Sequence, residues 1–169
     1  MKVKYLLIAE AAPWTESGVV RYFYNTCDGS WVNRIWRTFF DSPKPADVGE
    51  ALSNFANRGF LLIDSLPFAE NFSGRRTRDR YQKLVNSCSS FILEKINNDR
   101  IEWADDVRVG LAFKINGMAV IESLPEGIRF PTGQWVRLTG KLICADGSGY
   151  TSPTLLRSVF GLGGCSTER

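Results

Sequence analysis

Two rhythms of apolar and polar positions alternate along this chain. Short, largely apolar runs closed by turns read as buried strands of a parallel sheet. Four such runs occur: Tyr5 to Ala9, Phe60-Leu-Leu-Ile-Asp-Ser-Leu-Pro67, Val107 to Phe113, and Lys141 to Cys144. Helical spacing fills the intervals. Trp31 to Phe40 sets Val32, Ile35, Trp36, Phe39 and Phe40 on one face, and Asp41-Ser-Pro-Lys-Pro45 ends that helix. A second helix over Ala46 to Asn57 buries Val48, Leu52, Phe55 and Ala56, with Gly59 as its stop. The longest predicted helix runs from Thr77 to Asn98 on a stripe of Tyr81, Leu84, Val85, Cys88, Phe91, Ile92 and Ile96. Asn116 to Leu124 forms a short helix halted by Pro125, and residues 126–140, rich in glycine and proline, read as an irregular connection. Ser152 is a natural N-cap and Pro153 a natural first residue for a last helix ending at Gly161. Gly163 to Arg169 reads as a frayed tail.

Strands separated by helices predict an α/β fold, a four-stranded parallel sheet covered on both faces. A chain of 169 residues without repeat or linker is one domain, 1–169. Its apolar share of 44% and charged share of 23% exclude a disordered class, and no run approaches the roughly 18 apolar residues of a membrane span. Glu10 interrupts the first apolar run too early for a cleavable signal, which predicts an intracellular, cytoplasmic protein.

The residues that are missing prune the chemistry further. The chain has no histidine, which removes Ser-His-Asp and Cys-His catalysis and every imidazole metal site. No C-x-x-C pair occurs among Cys27, Cys88, Cys144 and Cys165, so no metal and no cofactor are expected. Cys88 and Cys144 read as reduced core thiols. Catalysis would rest on carboxylates, Lys, Arg, Tyr and backbone dipoles.

The first strand ends in Ala9-Glu-Ala-Ala-Pro-Trp14. In open α/β sheets the residue past a strand's carboxyl end faces the ligand crevice, so Glu10 is a candidate general base. Asp64 ends the second strand and Lys114 the third, while Ser148 to Pro153 forms the loop after the fourth. Arg21-Tyr-Phe-Tyr-Asn25 adds aromatics suited to a flat base, although each also suits a core layer. Asn71-Phe-Ser-Gly-Arg-Arg-Thr-Arg-Asp-Arg80 carries four arginines in six positions. That run is either a solvated loop opening a helix or a phosphate clamp.

In order and spacing these motifs resemble the uracil-DNA glycosylase superfamily, over about residues 4 to 162. The resemblance implies a three-layer α/β/α sandwich around a four-stranded parallel sheet of order 2-1-3-4. Ala9-Glu-Ala-Ala-Pro13 is similar to a Gly-Glu-Ala-Pro-Gly first motif, with the acid in register and the following proline and glycine altered. Phe23 or Tyr24 would stack on the flipped base, and Asp64 would read its edge beside Ala11 and Lys114. Tyr150-Thr-Ser-Pro153 stands where the family has a His-Pro-Ser-Pro-like loop, with Tyr150 in the place of the histidine.

The implied activity is hydrolysis of an N-glycosidic bond on a base taken out of the DNA stack. Glu10 would activate water, Tyr150 or backbone N–H groups would stabilise the departing base, and Arg75, Arg76, Arg78, Ser152 and Lys114 would hold DNA phosphates. The expected partner is DNA, bound by a monomer, with no membrane. Uracil enzymes generally place asparagine where this chain has Asp64. An ionised aspartate only accepts hydrogen bonds, which favours a cytosine-type or modified cytosine base, and such an activity suits antiviral defence. Plain uracil repair, action on free nucleosides, and a binding module without chemistry are the alternatives.

Overall fold

The computed structural model describes residues 2–12, 22–69 and 78–163. The predicted turn at Pro13 and Trp14, Arg21, the loop arginines Arg75 and Arg76, and the end of the tail lie outside the described residues.

Three strands form a parallel sheet in the order β2-β1-β3, with β1 at Val3–Ala9, β2 at Phe60–Asp64 and β3 at Trp103–Leu111. Central β1 is unbroken in its apolar run because both its faces are covered. Leu6 and Ile8 pack with Val85, Ile92, Val109 and Val120 on one side. Leu7 and Ala9 pack with Ile35, Phe55, Leu62 and Leu156 on the other. The first layer comes from α4 (Arg78–Ser87), α5 (Ser89–Ile96) and α6 (Lys114–Ser123). The second comes from α1 (Phe23–Thr26), α2 (Gly29–Phe39), α3 (Val48–Asn57) and α7 (Pro153–Val159). Asp47 caps α3 by accepting from the Glu50 amide at 2.7 Å. Gly59 turns the chain into β2 at φ 70°, and a Cβ there would meet the Lys2 carbonyl at 2.8 Å.

Three of the departures from the pattern-based expectation are large. The long helix is two helices, broken at Cys88 (φ −110°, ψ 9°). Asn86-Ser-Cys-Ser-Ser90 supplies weak helix formers whose side chains compete with the backbone, as the Ser89 hydroxyl does in donating to the Asn86 carbonyl. Cys88 is consequently half-buried at the margin of the core, whereas Cys144 is fully buried within it.

The fourth strand is reduced to a single parallel bridge, Leu111 to Ile143, flanked by a 3-10 turn over Gly140–Leu142. The Cys144 amide still donates to Leu111 at 2.8 Å, but its own carbonyl accepts from the Ser152 amide at 2.7 Å. Ala145 then pairs antiparallel with Thr151. The chain thus turns onto its own loop after one bridge and stops following β3.

The connection 126–140 is more ordered than its composition predicts. It contains a two-stranded antiparallel ribbon, β4 (Ile128–Arg129) with β5 (Trp135–Val136). It also lends the Gln134 amide to both backbone groups of Val107, at 2.7 and 2.9 Å. Val107 lies where the β1–β3 register is irregular, so the side chain takes over contacts that the ladder lacks. Among the described residues no helix is long and apolar enough to cross a membrane.

Candidate active site

The carboxyl ends of β1, β2 and β3 open into one cleft of about 1020 Å³. Its floor is Ala9 to Ala12, where the small side chains of Ala11 and Ala12 leave room above the sheet. The parallel register sets Ala9 opposite Asp64, so Glu10 follows at once beyond the last paired residue. Glu10 is 5% exposed, a carboxylate taken almost wholly out of water at the cleft wall.

The peptide that carries Glu10 is locked. Its carbonyl oxygen accepts from the Ser65 amide at 3.1 Å, the Leu66 amide at 3.2 Å and the Ser65 hydroxyl at 2.7 Å. The Ser65 oxygen in turn accepts from the Asn116 side-chain amide at 2.7 Å. Ser65 and Asn116 are both fully buried, and the Asn116 Oδ1 has no hydrogen-bond partner among the described residues. This chain of bonds ties together the ends of β1 and β2 and the first turn of α6. Those three places present Glu10, Asp64 and Lys114 to the cleft.

Asp64 and Tyr22 both line the cleft. Burial raises the Asp64 carboxyl above its ordinary value, while the Tyr22 hydrogen bond and the Lys95 ammonium pull the other way. Tyr22 is pushed up to about 12, first by burial and then by the negative charge of Asp64. Its hydroxyl is therefore a proton donor across the physiological range. The Tyr22 backbone is held by its own amide, which donates to the Asn25 side chain at 2.7 Å.

Aromatic rings form one wall. Trp31 and Phe113 stack at 5.4 Å and 24°, and both line the cleft. Phe23 reaches the cleft but is 7% exposed, packed against Tyr24, Phe55 and Phe60. The loop 147–150 forms part of the rim. Thr151 anchors this loop: its buried hydroxyl accepts from the Trp31 indole at 2.9 Å and donates to the Ala112 carbonyl at 2.7 Å. Arg34 adds a bond to the Thr151 carbonyl at 3.3 Å and lies 6.0 Å from the centre of the exposed Tyr150 ring.

Of the residues singled out from the sequence, Glu10, Ala11, Phe23, Asp64, Lys114 and Tyr150 all line this cleft. Tyr24 and Ser152 do not. The Tyr24 hydroxyl donates to the Leu62 carbonyl and accepts from the Leu62 amide, both at 2.8 Å. It satisfies the outer edge of β2, an edge strand, which is a structural task. Ser152 caps α7, its hydroxyl accepting from the Leu155 amide at 3.5 Å. Arg78 is the first residue of α4, and Arg75 and Arg76 lie outside the described residues.

Sequence reasoning missed Trp31, Ser65 and Asn116 as site components, and included Tyr22 and Thr151 only as members of the aromatic run and of the loop that hold them. Trp31 had left a signal: it opens its helix as a tryptophan off the apolar stripe. Ser65 and Asn116 left none, because their meaning lies in a contact across 51 residues. Among the described residues no three metal-ligating side chains cluster. No protein-family model, no curated protein and no solved structure matches the chain.

Proposed function

We propose that this protein is a DNA glycosylase that hydrolyses the N-glycosidic bond of a base received in the strand-end cleft. The observation that carries the reading is the pairing of two acids on neighbouring strand ends beside a stacked aromatic wall. Glu10 and Asp64 follow from one register, and Trp31 and Phe113 offer π-surface next to them. The bridge at Ile143 beside β3 supports a sheet of order 2-1-3-4 whose last strand is cut short, as in a uracil-DNA glycosylase-like sandwich.

In this reading the flipped base lies against the aromatic wall with its edge toward Asp64. As the C1′–N bond breaks, positive charge gathers on the sugar and negative charge on the base. Glu10 stabilises the first and takes a proton from the water that adds to C1′. Its locked peptide fixes the backbone from which the carboxylate reaches the cleft. Lys114, exposed at the cleft, and the Tyr150 hydroxyl, at its rim, are the donors available to the departing base. Asp64, as an acceptor, favours an amine-bearing base of the cytosine type over uracil.

The test is abasic-site formation on oligonucleotides bearing uracil, cytosine, 5-hydroxymethylcytosine or its glucosylated form. Excision of a cytosine-type base, reduced about 10²- to 10⁴-fold in Glu10→Gln, is the expected result. Preference for uracil overturns the assignment of the base. Cleavage of free nucleosides alone points to a small-molecule hydrolase. No cleavage of any substrate leaves a binding module.

A further inference from the structure

We infer that Arg34 is a phosphate-binding residue of the cleft, taking the phosphate ester beside the sugar of a nucleotide whose base lies against Trp31 and Phe113. This rests on the proposal that the cleft receives a base, and it gives the phosphate of that nucleotide a place. Arg34 follows Trp31 by three residues in α2, so the two side chains leave one face of the helix about a turn apart. Both line the cleft. A nucleotide has the same build, a flat base with an anion one sugar away.

The guanidinium is held through one nitrogen. Its Nη1 donates to the Thr151 carbonyl at 3.3 Å and lies 3.9 Å from Asp146 Oδ2. Asp146 is itself fixed, because the Ser148 hydroxyl and amide both donate to its Oδ1. Those bonds hold its carboxyl below the usual range, so it stays ionised. A separation of 3.9 Å is too long for a hydrogen bond, so Asp146 steers the guanidinium without saturating it. An arginine has five N–H donors in a planar fork, and the edge formed by Nε and Nη2 matches two oxygens of one phosphate. The side chain is half-exposed, so a ligand reaches it without unpacking the core.

The charges of the cleft narrow where a phosphate settles. Glu10, Asp28 and Asp64 line it and repel an anion, while Arg34 and Lys114 are the basic side chains that line it among the described residues. Lys114 offers a point charge, and Arg34 alone offers a fork that fixes a phosphate bidentately. The loop beside Arg34 also leaves room. Gly147-Ser148-Gly149 is small, and a Cβ on either glycine would meet nothing within 4 Å.

Calorimetric titration of the full chain with 2′-deoxycytidine, its 5′-monophosphate, its 3′-monophosphate and the trinucleotide d(TCT) tests the site. At least one phosphate-bearing ligand should bind about 10- to 100-fold tighter than the nucleoside, and the gain should shrink as salt rises. Arg34→Gln should erase the gain and leave nucleoside binding unchanged, and Arg34→Lys should keep part of it. A gain confined to the monophosphates identifies a free nucleotide as the source, and a gain shared by the trinucleotide identifies a backbone phosphate. Equal affinity of the parent for the nucleoside and all three phosphate-bearing ligands overturns the inference without recourse to a variant. So does a gain that survives Arg34→Gln, or an equal loss on nucleoside and nucleotides, since Arg34 would then only brace the loop at Thr151. Absence of binding by all four at about 10 mM overturns it too. Binding does not require turnover, so an Arg34-dependent phosphate site in a protein that forms no abasic sites would sink the hydrolase reading and keep this one. Excision at the parent's rate by Arg34→Gln would do the reverse.

Discussion

The Ser65 hydroxyl donates to the Glu10 carbonyl oxygen at 2.7 Å, joining two strand ends separated by 55 residues of sequence. It also accepts from Asn116, so one oxygen connects β1, β2 and α6 beneath the cleft. Ser65→Ala leaves the buried Asn116 amide without its acceptor. A loss of about 1–3 kcal/mol is expected, read as a lowered midpoint in thermal or urea denaturation. Adding Asn116→Leu to that variant removes the stranded amide together with its unpartnered oxygen, and should recover most of the loss. A double variant no more stable than Ser65→Ala would show that the bonds are not coupled.

Thr151 links the cleft loop to both α2 and the end of β3 through a single hydroxyl. Thr151→Val preserves shape but leaves the Trp31 indole N–H and the Ala112 carbonyl without that partner. Destabilisation of about 1–3 kcal/mol should appear on thermal denaturation, with Thr151→Ser close to the parent. Equal stability of Thr151→Val and the parent would remove Thr151 from this role.

Burial raises the Asp64 carboxyl above its usual range. Between the ordinary and the raised value, the folded chain holds a proton that the unfolded chain has released. The stability linked to this group is complete below the ordinary value, about 3.9, and is lost as pH rises through the folded-state value. Asp64→Asn abolishes that dependence. Its Tm should match the parent near pH ~3.5 and exceed it by a few degrees at neutral pH. A difference that stays constant across this interval would contradict the shift.

The Tyr24 hydroxyl guards an edge. Tyr24→Phe opens the Leu62 amide and carbonyl on β2, which should speed hydrogen exchange at the Leu62 amide and cost roughly 0.5–1.5 kcal/mol. Because Tyr24 does not line the cleft, base excision by the variant should remain at the parent's level in the abasic-site assay.

The elements with a strong period were legible beforehand. Tyr5 to Ala9 and Phe60 to Asp64 announce buried parallel strands, because covering both faces of a sheet demands unbroken apolar runs. The cap at Ser152 and the turn at Gly59 are local chemistry and could be read locally. The helix break at Cys88 could have been weighed from its serines, but the apolar stripe runs straight across it. The shortened fourth strand could not, since a four-residue run says nothing about whether its carbonyls will find β3 or the following loop.

The cleft divides in the same way. Glu10, Asp64 and Lys114 could be placed at strand ends, because the position of a residue past an apolar run is a fact of the sequence. What holds Glu10 was decided only in three dimensions, through Ser65 and Asn116, two ordinary polar residues with no pattern around them. So was the role of Tyr24, which a run of three aromatics offers as a stacking ring and the edge of β2 claims as a hydrogen-bond partner. Periodicity records which side chains leave water. The partners that buried polar atoms find depend on which distant segments the packed sheet brings within 3 Å, and only the tertiary structure fixes that.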